Sequence, residues 1–257
     1  MGATVQVVKI EGRVLNVMRE GSPKKTAHRH DGHGGGHDTD AARKETEAGR
    51  KRSKMKTFKI GILSLQGDLE EHASMMRRAL DEAGISGSVV GLRRKTDVAG
   101  LDALVIPGGE STVMAKLVHL HGLEEEIKKL ARLGVPIMGT CAGLVLLARS
   151  GCDEVEKTGQ RLLGLIDITV ERNAFGRQKE SFEADIDIPV LGEEKYHGVF
   201  IRAPAIGKAG AGVKVLAEYE GKAVAAQEGN ILVLAFHPEL SGDLRMHEYF
   251  LKLLKDG

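Results

Sequence analysis

From Phe58 onward the sequence alternates short apolar runs with amphipathic stretches, and this alternation constrains the fold more than any other feature. Residues 59–65 form a largely apolar run, typical of a strand that is covered on both faces. Apolar residues then recur at spacings of four and three over 69–83, which predicts a helix that ends at Gly84. Further strands are predicted at 88–92, 102–106 and 136–138, with a helix over 123–130. This rhythm indicates a mostly parallel sheet with helices on both faces.

The second half of the chain has a different pattern, in which short turns join successive strands. These strands are predicted at 165–171, 181–188, 214–219, 223–227 and 231–236, before a last helix over 243–254. Short turns favour antiparallel pairing. We therefore expect a three-layer α/β fold whose mostly parallel central sheet carries an antiparallel extension.

Residues 1–57 differ from the rest because they contain no Phe, Tyr or Trp. Such a segment cannot bury enough apolar surface to offset its ordering entropy, which predicts a disordered extension. A short hairpin over 5–17 is marginal alone, and the four histidines within 28–37 lack a fixed metal geometry. We predict a folded domain over 58–257, with Met55 as a candidate natural start of translation.

The charge balance excludes some partners. Lys and Arg number 37 against 36 Asp and Glu, so no global field recruits nucleic acid or an anionic membrane. No apolar run approaches the roughly 20 residues needed to span a bilayer, and no secretory signal is evident. Two cysteines do not make a disulfide framework, which favours a reducing cytoplasm.

The sequence Gly139-Thr-Cys-Ala-Gly143 joins a predicted strand to an apolar helical stretch at 144–148. Gly-x-Cys-x-Gly at such a junction is the cysteine version of the nucleophile elbow. The turn presents Cys141 at the sheet edge, where the following helix dipole favours thiolate and the Ala142 N–H points toward a developing oxyanion. The alternative is a buried structural cysteine. Cys152 lacks this setting.

A candidate base follows the apolar strand 231–236 in the sequence His237-Pro-Glu239. Pro238 keeps the segment extended, so the side chains of His237 and Glu239 project in a similar direction. The carboxylate accepts the imidazole N–H while the other ring nitrogen faces the thiol. A lone His-x-Glu is common by chance, and the alternative is a histidine that caps the sheet edge.

Residues 107–112 read Pro-Gly-Gly-Glu-Ser-Thr directly after a predicted strand. Glycine pairs at a strand end permit close backbone approach to a ligand and supply N–H donors. Ser111 is expected to begin the next helix as its N-cap. The remaining histidines of the domain have no comparable setting, and we expect all of them to face solvent: His72, His119, His121 and His247 in helical or helix-end patterns, and His197 in a turn-like stretch.

Together these segments resemble the class I glutamine amidotransferases, and within them the family of glutaminase subunits of pyridoxal 5′-phosphate synthase. The resemblance covers about residues 59–254. It rests on seven segments in order: LSLQGDLEEH (63–72), PGGEST (107–112), GTCAGL (139–144), VERNAFGRQ (170–178), SFEAD (181–185), GVFIRAP (198–204) and FHPEL (236–240). The family usually starts near Lys59, so the resemblance implies nothing for the extension.

The resemblance implies a role for each matching residue. Cys141 would attack the side-chain amide of L-glutamine, with His237 as general base and acid and Glu239 as its orienting carboxylate. Gly109 and Ala142 would supply the oxyanion hole. The residues implied to hold glutamine are Gly109, Glu110, Ser111, Arg172, Ile201 and Arg202. A guanidinium suits the α-carboxylate of glutamine, although without the family both arginines would be interpreted as surface ion pairs. Neither a cofactor nor a metal ion is implied.

The family also implies a partner, a synthase subunit built as a TIM barrel in a large hetero-oligomer. Ammonia would pass to it through a protected tunnel, because ammonia released into neutral water is protonated and lost as a nucleophile. The segment at Gly108 and Gly109 would rearrange on docking and complete the oxyanion hole.

Three alternatives remain open from the sequence. The chain could be a glutaminase that serves another synthase, which VERNAFGRQ and FIRAP argue against. It could be a non-catalytic binding protein of the same fold, although all three triad positions are filled. It could also be a cysteine hydrolase of a related elbow-bearing α/β family, which generally lacks the glutamate in His-x-Glu.

Overall fold

The computed structural model describes residues 56–67, 69–172, 174–176 and 181–256. The hairpin, the histidine-rich segment and almost all of the predicted extension lie outside these residues and stay predictions. The strands are β1 (Phe58–Leu63), β2 (Gly87–Leu92), β3 (Ala103–Ile106), β4 (Ile137–Thr140), β5 (Ala148–Gly151), β6 (Ile166–Glu171), β7 (Ser181–Ile186), β8 (Tyr196–Ile201), β9 (Ala205–Ala209), β10 (Lys214–Tyr219), β11 (Lys222–Glu228) and β12 (Ile231–Leu234). The α-helices are α1 (Leu69–Glu82), α2 (Ser111–Leu120), α3 (Glu124–Arg132), α4 (Ala142–Leu147), α5 (Asp153–Lys157) and α6 (Arg245–Asp256).

The main sheet has the strand order β2-β1-β3-β4-β12-β11-β9-β6-β5, and β10 pairs with β11. The strands from β2 to β12 in this order are parallel, whereas β11 pairs antiparallel with β12, β9 and β10. Every residue of β3, β4 and β12 is buried, as expected for strands covered on both faces. Helix α1 packs against α6, and α2 packs against α4. The predicted fold class is confirmed.

Several details of the second half differ from prediction. Among the described strands, β7 pairs with β8 alone, in a separate two-stranded sheet, so its predicted place in the main sheet is wrong. Strand β12 pairs parallel with β4 as well as antiparallel with β11, so it joins the parallel part of the sheet to the antiparallel extension. Strands β8 and β9 were not predicted, and Ala148 begins β5 instead of ending a helix. An apolar pattern identifies a strand, but pairing depends on contacts distant in sequence.

Aromatic packing holds the small sheet in place. The rings of Phe182 on β7 and Phe200 on β8 are stacked with centroids 4.6 Å apart. Phe200 also packs edge-on against Phe236, which follows β12 in the main sheet. Offset and edge-to-face ring contacts restrict both partners. The small sheet is therefore fixed against the strand that leads to His237, and the end of β8 lies beside the candidate site.

Candidate active site

Parallel pairing of β4 with β12 brings the nucleophile and the base to one edge of the sheet. Thr140 at the end of β4 lies opposite Leu234 at the end of β12. Cys141 comes directly after β4, and its backbone N–H donates to the Leu234 carbonyl over 2.8 Å. His237 follows three residues after β12. Carboxyl ends of parallel strands meet at the same edge, which is where open α/β sheets bind ligands.

Cys141 occupies a strained turn. Its φ of 47° and ψ of −101° lie outside the regions that L-residues ordinarily adopt. A Cβ on Gly143 would lie 2.1 Å from the Ile106 carbonyl oxygen, so only glycine lets the turn pack this closely on β3. The thiol is 8% exposed, and Sγ lies 3.7 Å from the Ile201 carbonyl oxygen. This geometry matches the predicted nucleophile elbow.

His237 and Glu239 form a buried pair. Nδ1 of His237 lies 2.7 Å from Oε1 of Glu239, and the two residues are 3% and 5% exposed. Burial disfavours the imidazolium, but hydrogen bonds with Cys141 and Glu239 outweigh burial and raise the pKa of His237 to about 10. Residues 237–240 form a turn, in which the Leu240 N–H donates to the His237 carbonyl over 3.2 Å, so the prediction of an extended segment around Pro238 is wrong, although the two side chains do meet. The imidazole is placed to exchange a proton with the thiol.

The glycine loop after β3 packs directly on the imidazole. A Cβ on Gly108 would lie 2.5 Å from Cε1 of His237, so any side chain there would displace the ring. Gly109 has a φ of 137°, which L side chains rarely adopt. The local structure therefore requires both glycines: Gly108 because of its close contact with the His237 ring, and Gly109 because of its backbone conformation.

A cavity of about 270 Å³ opens at this edge. Its lining consists of Gly109, Glu110, Ser111, Cys141, Ala142, Val145, Arg172, Ile201, Arg202, Pro204 and His237. Every residue that the sequence assigned to glutamine or the oxyanion lines it, and Glu239 lies behind His237. The sequence did not single out Val145 or Pro204, which are apolar wall residues without a recognisable pattern. Cys152 lies outside the cavity, at the start of α5.

Glu110, not Ser111, is the N-cap of α2. Its carboxylate accepts hydrogen bonds from the backbone N–H groups of Thr112 and Val113. Burial works against the ionised carboxyl, but these bonds and one from the Thr112 hydroxyl prevail and lower the pKa of Glu110. A glutamate caps a helix as an aspartate does when its side chain folds back. The prediction for Ser111 is therefore wrong, and its hydroxyl donates to Gln160 over 3.1 Å.

The two cavity arginines follow different strands. Arg172 comes directly after β6, and its Nη2 lies 3.5 Å from Oε1 of Glu110. Arg202 comes directly after β8 and has a φ of 42°, a conformation that costs an L-residue energy. Strain of this kind persists only where the surroundings enforce it. Together the guanidinium groups give the cavity a positive wall suited to a carboxylate.

Two histidines contradict the expectation that they face solvent. His72 on α1 and His247 on α6 are both 0% exposed, and their ring centroids are 6.2 Å apart. The helical spacing of α1 could have predicted the burial of His72, because His72 lies three residues after Leu69 and four before Met76, on the apolar stripe of the helix. His119, His121 and His197 are exposed as predicted, but His197 belongs to β8 instead of a turn.

Comparison with known proteins gives one consistent match. Residues 62–256 match the SNO glutamine amidotransferase family. A Methanosarcina mazei protein named pyridoxal 5′-phosphate synthase subunit PdxT is 53% identical over 194 residues, 76% of this chain and 97% of the relative. A Saccharolobus solfataricus protein of the same name is 46% identical over 199 residues, 77% of this chain and 100% of the relative. A crystal structure of a glutamine amidotransferase is 43% identical with a TM-score of 0.67, covering 76% of this chain and 98% of its own.

Proposed function

The chain belongs to the SNO glutamine amidotransferase family, and we propose that it hydrolyses L-glutamine as the glutaminase subunit of a pyridoxal 5′-phosphate synthase. The observation that carries this proposal is the shared cavity, in which the Cys141 thiol and the His237 imidazole face a wall containing Arg172 and Arg202. A nucleophile, its base and a carboxylate anchor are the groups that glutamine hydrolysis requires.

The first half of the reaction forms a thioester. The Cys141 thiolate attacks the side-chain amide carbon of glutamine, and the carbonyl π electrons move to oxygen. The N–H groups of Gly109 and Ala142 are the proposed donors to that oxyanion. When the tetrahedral intermediate collapses, the C–N bond breaks and His237 gives its proton to the departing nitrogen, which leaves as ammonia.

The second half releases glutamate. His237, now neutral, removes a proton from a water molecule as that water attacks the thioester carbon. Collapse of the second tetrahedral intermediate breaks the C–S bond and restores the Cys141 thiolate beside the imidazolium. Glu239 acts throughout as the carboxylate that orients His237 and stabilises its protonated form.

Recognition of free glutamine follows from the charges in the cavity. Arg172 and Arg202 are proposed to bind the α-carboxylate, since a guanidinium offers paired donors to a carboxylate. Gly109, Glu110, Ser111 and Ile201 are also proposed to contact the substrate. The carboxylate of Glu110 is fixed by its hydrogen bonds to the first turn of α2, which holds this segment at the cavity wall. The cavity of about 270 Å³ suits a single amino acid.

The proposed partner is the synthase subunit of the same enzyme, assembled with this chain in a large hetero-oligomer. The relatives from Methanosarcina mazei and Saccharolobus solfataricus carry the name of a pyridoxal 5′-phosphate synthase subunit. Docking would let ammonia pass directly to the synthase before water protonates it. Rearrangement of the Gly108–Gly109 peptide on docking is proposed to complete the oxyanion hole, and two adjacent glycines permit it.

We propose a cytoplasmic location, because a reducing compartment keeps a catalytic thiol free to react. Cys141 and Cys152 are both free thiols in the structure. Within the described residues, no helix combines the length and the apolar character needed to cross a membrane.

The decisive experiment measures ammonia released from L-glutamine by the purified chain, with and without a pyridoxal 5′-phosphate synthase subunit. We expect hydrolysis that the synthase accelerates and that Cys141→Ser abolishes. A synthase subunit from another glutamine-dependent pathway serves as the control and should not accelerate the reaction. Absence of hydrolysis with the cognate subunit would refute the proposal.

A further inference from the structure

A second buried histidine contacts the carboxylate of the proposed triad. Nε2 of His72 lies 3.2 Å from Oε2 of Glu239, whereas Nδ1 of His237 lies 2.7 Å from Oε1. The same Nε2 of His72 lies 3.2 Å from Oγ1 of Thr140, the residue before the nucleophile. The two imidazoles therefore approach different oxygens of one carboxylate.

We propose that His72 is a positioning residue that holds Glu239 in line with His237 through the 3.2 Å polar contact of its Nε2 with the second carboxylate oxygen. This inference rests on the proposed function, because holding Glu239 matters only if His237 acts as the base. His72 itself does not line the cavity, and the proposed effect on His237 passes through Glu239.

Burial gives this contact its weight. The side chain of Glu239 is 0% exposed, so water cannot solvate either oxygen. A carboxylate in such surroundings is held by contacts within the protein. Nδ1 of His237 contacts Oε1, and Nε2 of His72 lies beside Oε2. The contact at Oε2 opposes rotation of the carboxylate away from His237.

The charge state of His72 suits this role. Burial, followed by the neighbouring rings of His247 and His237, holds the pKa of His72 well below its usual value, so the ring is neutral. A neutral imidazole carries one N–H. Nε2 of His72 hydrogen-bonds with Oγ1 of Thr140 and lies 3.2 Å from Oε2 of Glu239, so a proton on Nε2 lies beside the carboxylate. A neutral donor supports the carboxylate without adding a cation that would compete with the His237 imidazolium.

The position of the His72 ring is fixed by packing. Helix α1 buries Ala73 and Met76 beside it, and the His247 ring from α6 packs at a 59° angle with centroids 6.2 Å apart. Side chains in such surroundings hold one rotamer. A rigid donor can fix the direction of the Glu239 carboxylate, which a mobile surface group could not.

The test compares His72→Leu, which removes the N–H at similar volume, with His72→Gln, whose amide restores an N–H near the position of Nε2. Each is made alone and together with Glu239→Gln, in a Cys152→Ser background so that Cys141 is the only thiol. Two readouts are taken on the full chain: steady-state glutamine hydrolysis with the synthase subunit, and the rate of Cys141 alkylation by iodoacetamide at pH 7. Thermal unfolding checks that each variant folds.

Loss of this buried polar contact with a charged group predicts a fall in kcat of about 10- to 100-fold for His72→Leu. KM for glutamine should stay within about twofold, since ground-state binding is untouched. Alkylation should slow by about tenfold, because the imidazolium that stabilises the thiolate loses support. His72→Gln should recover most of the lost kcat and most of the lost alkylation rate. In the Glu239→Gln background, His72→Leu should add less than about threefold, because the two residues act as one unit.

If His72→Leu lowers kcat and the alkylation rate equally with and without Glu239→Gln, the inference is overturned, because the effect does not pass through Glu239. A folded His72→Leu protein with unchanged kcat and alkylation would do the same. If His72→Leu does not fold, His72→Asn replaces it, because its shorter amide cannot reach Oε2. If the wild-type chain hydrolyses no glutamine, the proposed function fails, and the alkylation rates alone decide the role of His72.

Discussion

The backbone N–H of Cys141 donates to the carbonyl oxygen of Leu234 over 2.8 Å. This bond continues the parallel pairing of β4 with β12 by one residue beyond the strand end. It fixes the turn that carries the thiol against the strand that leads to His237. The distance between the proposed nucleophile and its base is therefore set by the sheet itself, not by flexible loops.

Replacement of Cys141 by Ser should reduce glutamine hydrolysis by about 10⁴-fold or more. A hydroxyl is a far weaker nucleophile than a thiol in this site, and the members of the proposed triad act cooperatively. The measurement is ammonia release under saturating glutamine. Cys152→Ser is the matched control, since that thiol lies outside the cavity, and it should retain wild-type activity. Near wild-type rates for Cys141→Ser would refute the nucleophile assignment.

His237→Asn should lower kcat by several orders of magnitude, about 10⁴-fold, because it removes the imidazole that hydrogen-bonds with the Cys141 thiol in the cavity. Glu239→Gln should lower it less, because the imidazole stays in place but its protonated form loses the buried anion. Steady-state kinetics with the synthase subunit measures both. His121→Asn, at an exposed helix end, is the control and should leave kcat unchanged.

The stability that His237 contributes should depend on pH in a defined direction. Its folded pKa of about 10 exceeds the ordinary value of 6.5, so the folded chain binds the proton more tightly than the unfolded chain. The resulting stabilisation is fully present below pH 6.5 and is lost as pH rises toward 10. The free energy of unfolding of the wild type, minus that of His237→Asn, should therefore fall across this window. Urea unfolding at pH 6, 8 and 10 measures the difference, and a constant difference would contradict the assignment.

Arg202→Met should raise KM for glutamine by about 10- to 100-fold, with a smaller change in kcat, because the lost contact is made equally in the ground and transition states. Arg202→Lys keeps the charge but not the paired donors, so its KM should be intermediate. Arg149→Met is the control, since Arg149 is exposed and pairs with Asp167 outside the cavity. A KM unchanged in Arg202→Met would exclude Arg202 from substrate binding.

A chain that begins at Met55 should keep its glutaminase activity and its response to the synthase subunit. The first strand, β1, begins at Phe58, and the family match begins at residue 62. Hydrolysis rates and thermal unfolding of the full chain and the shortened chain provide the comparison. A large fall in the hydrolysis rate or in the unfolding temperature of the shortened chain would show that the first 54 residues contribute to the folded domain or to docking.

Local sequence patterns were enough to identify the fold class and most of the proposed site. Buried parallel strands carry continuous apolar runs, so β1, β3 and β4 were recognisable without tertiary information. The elbow at Cys141 and the His237-Pro-Glu239 segment were recognisable because their chemistry imposes local spacing. Local rules of this kind act over a few residues, and a single sequence displays them directly.

Features that depend on contacts between distant segments emerged from the folded chain. The sequence identified β7 as a strand, but the partner in its separate sheet is β8, and that choice is made by ring packing across the chain. The sequence also left His72 on a helix without a role, because its partner Glu239 lies 167 positions away in the chain. Burial and pairing are properties of the assembled core, since a side chain acquires its environment only when segments remote in sequence meet.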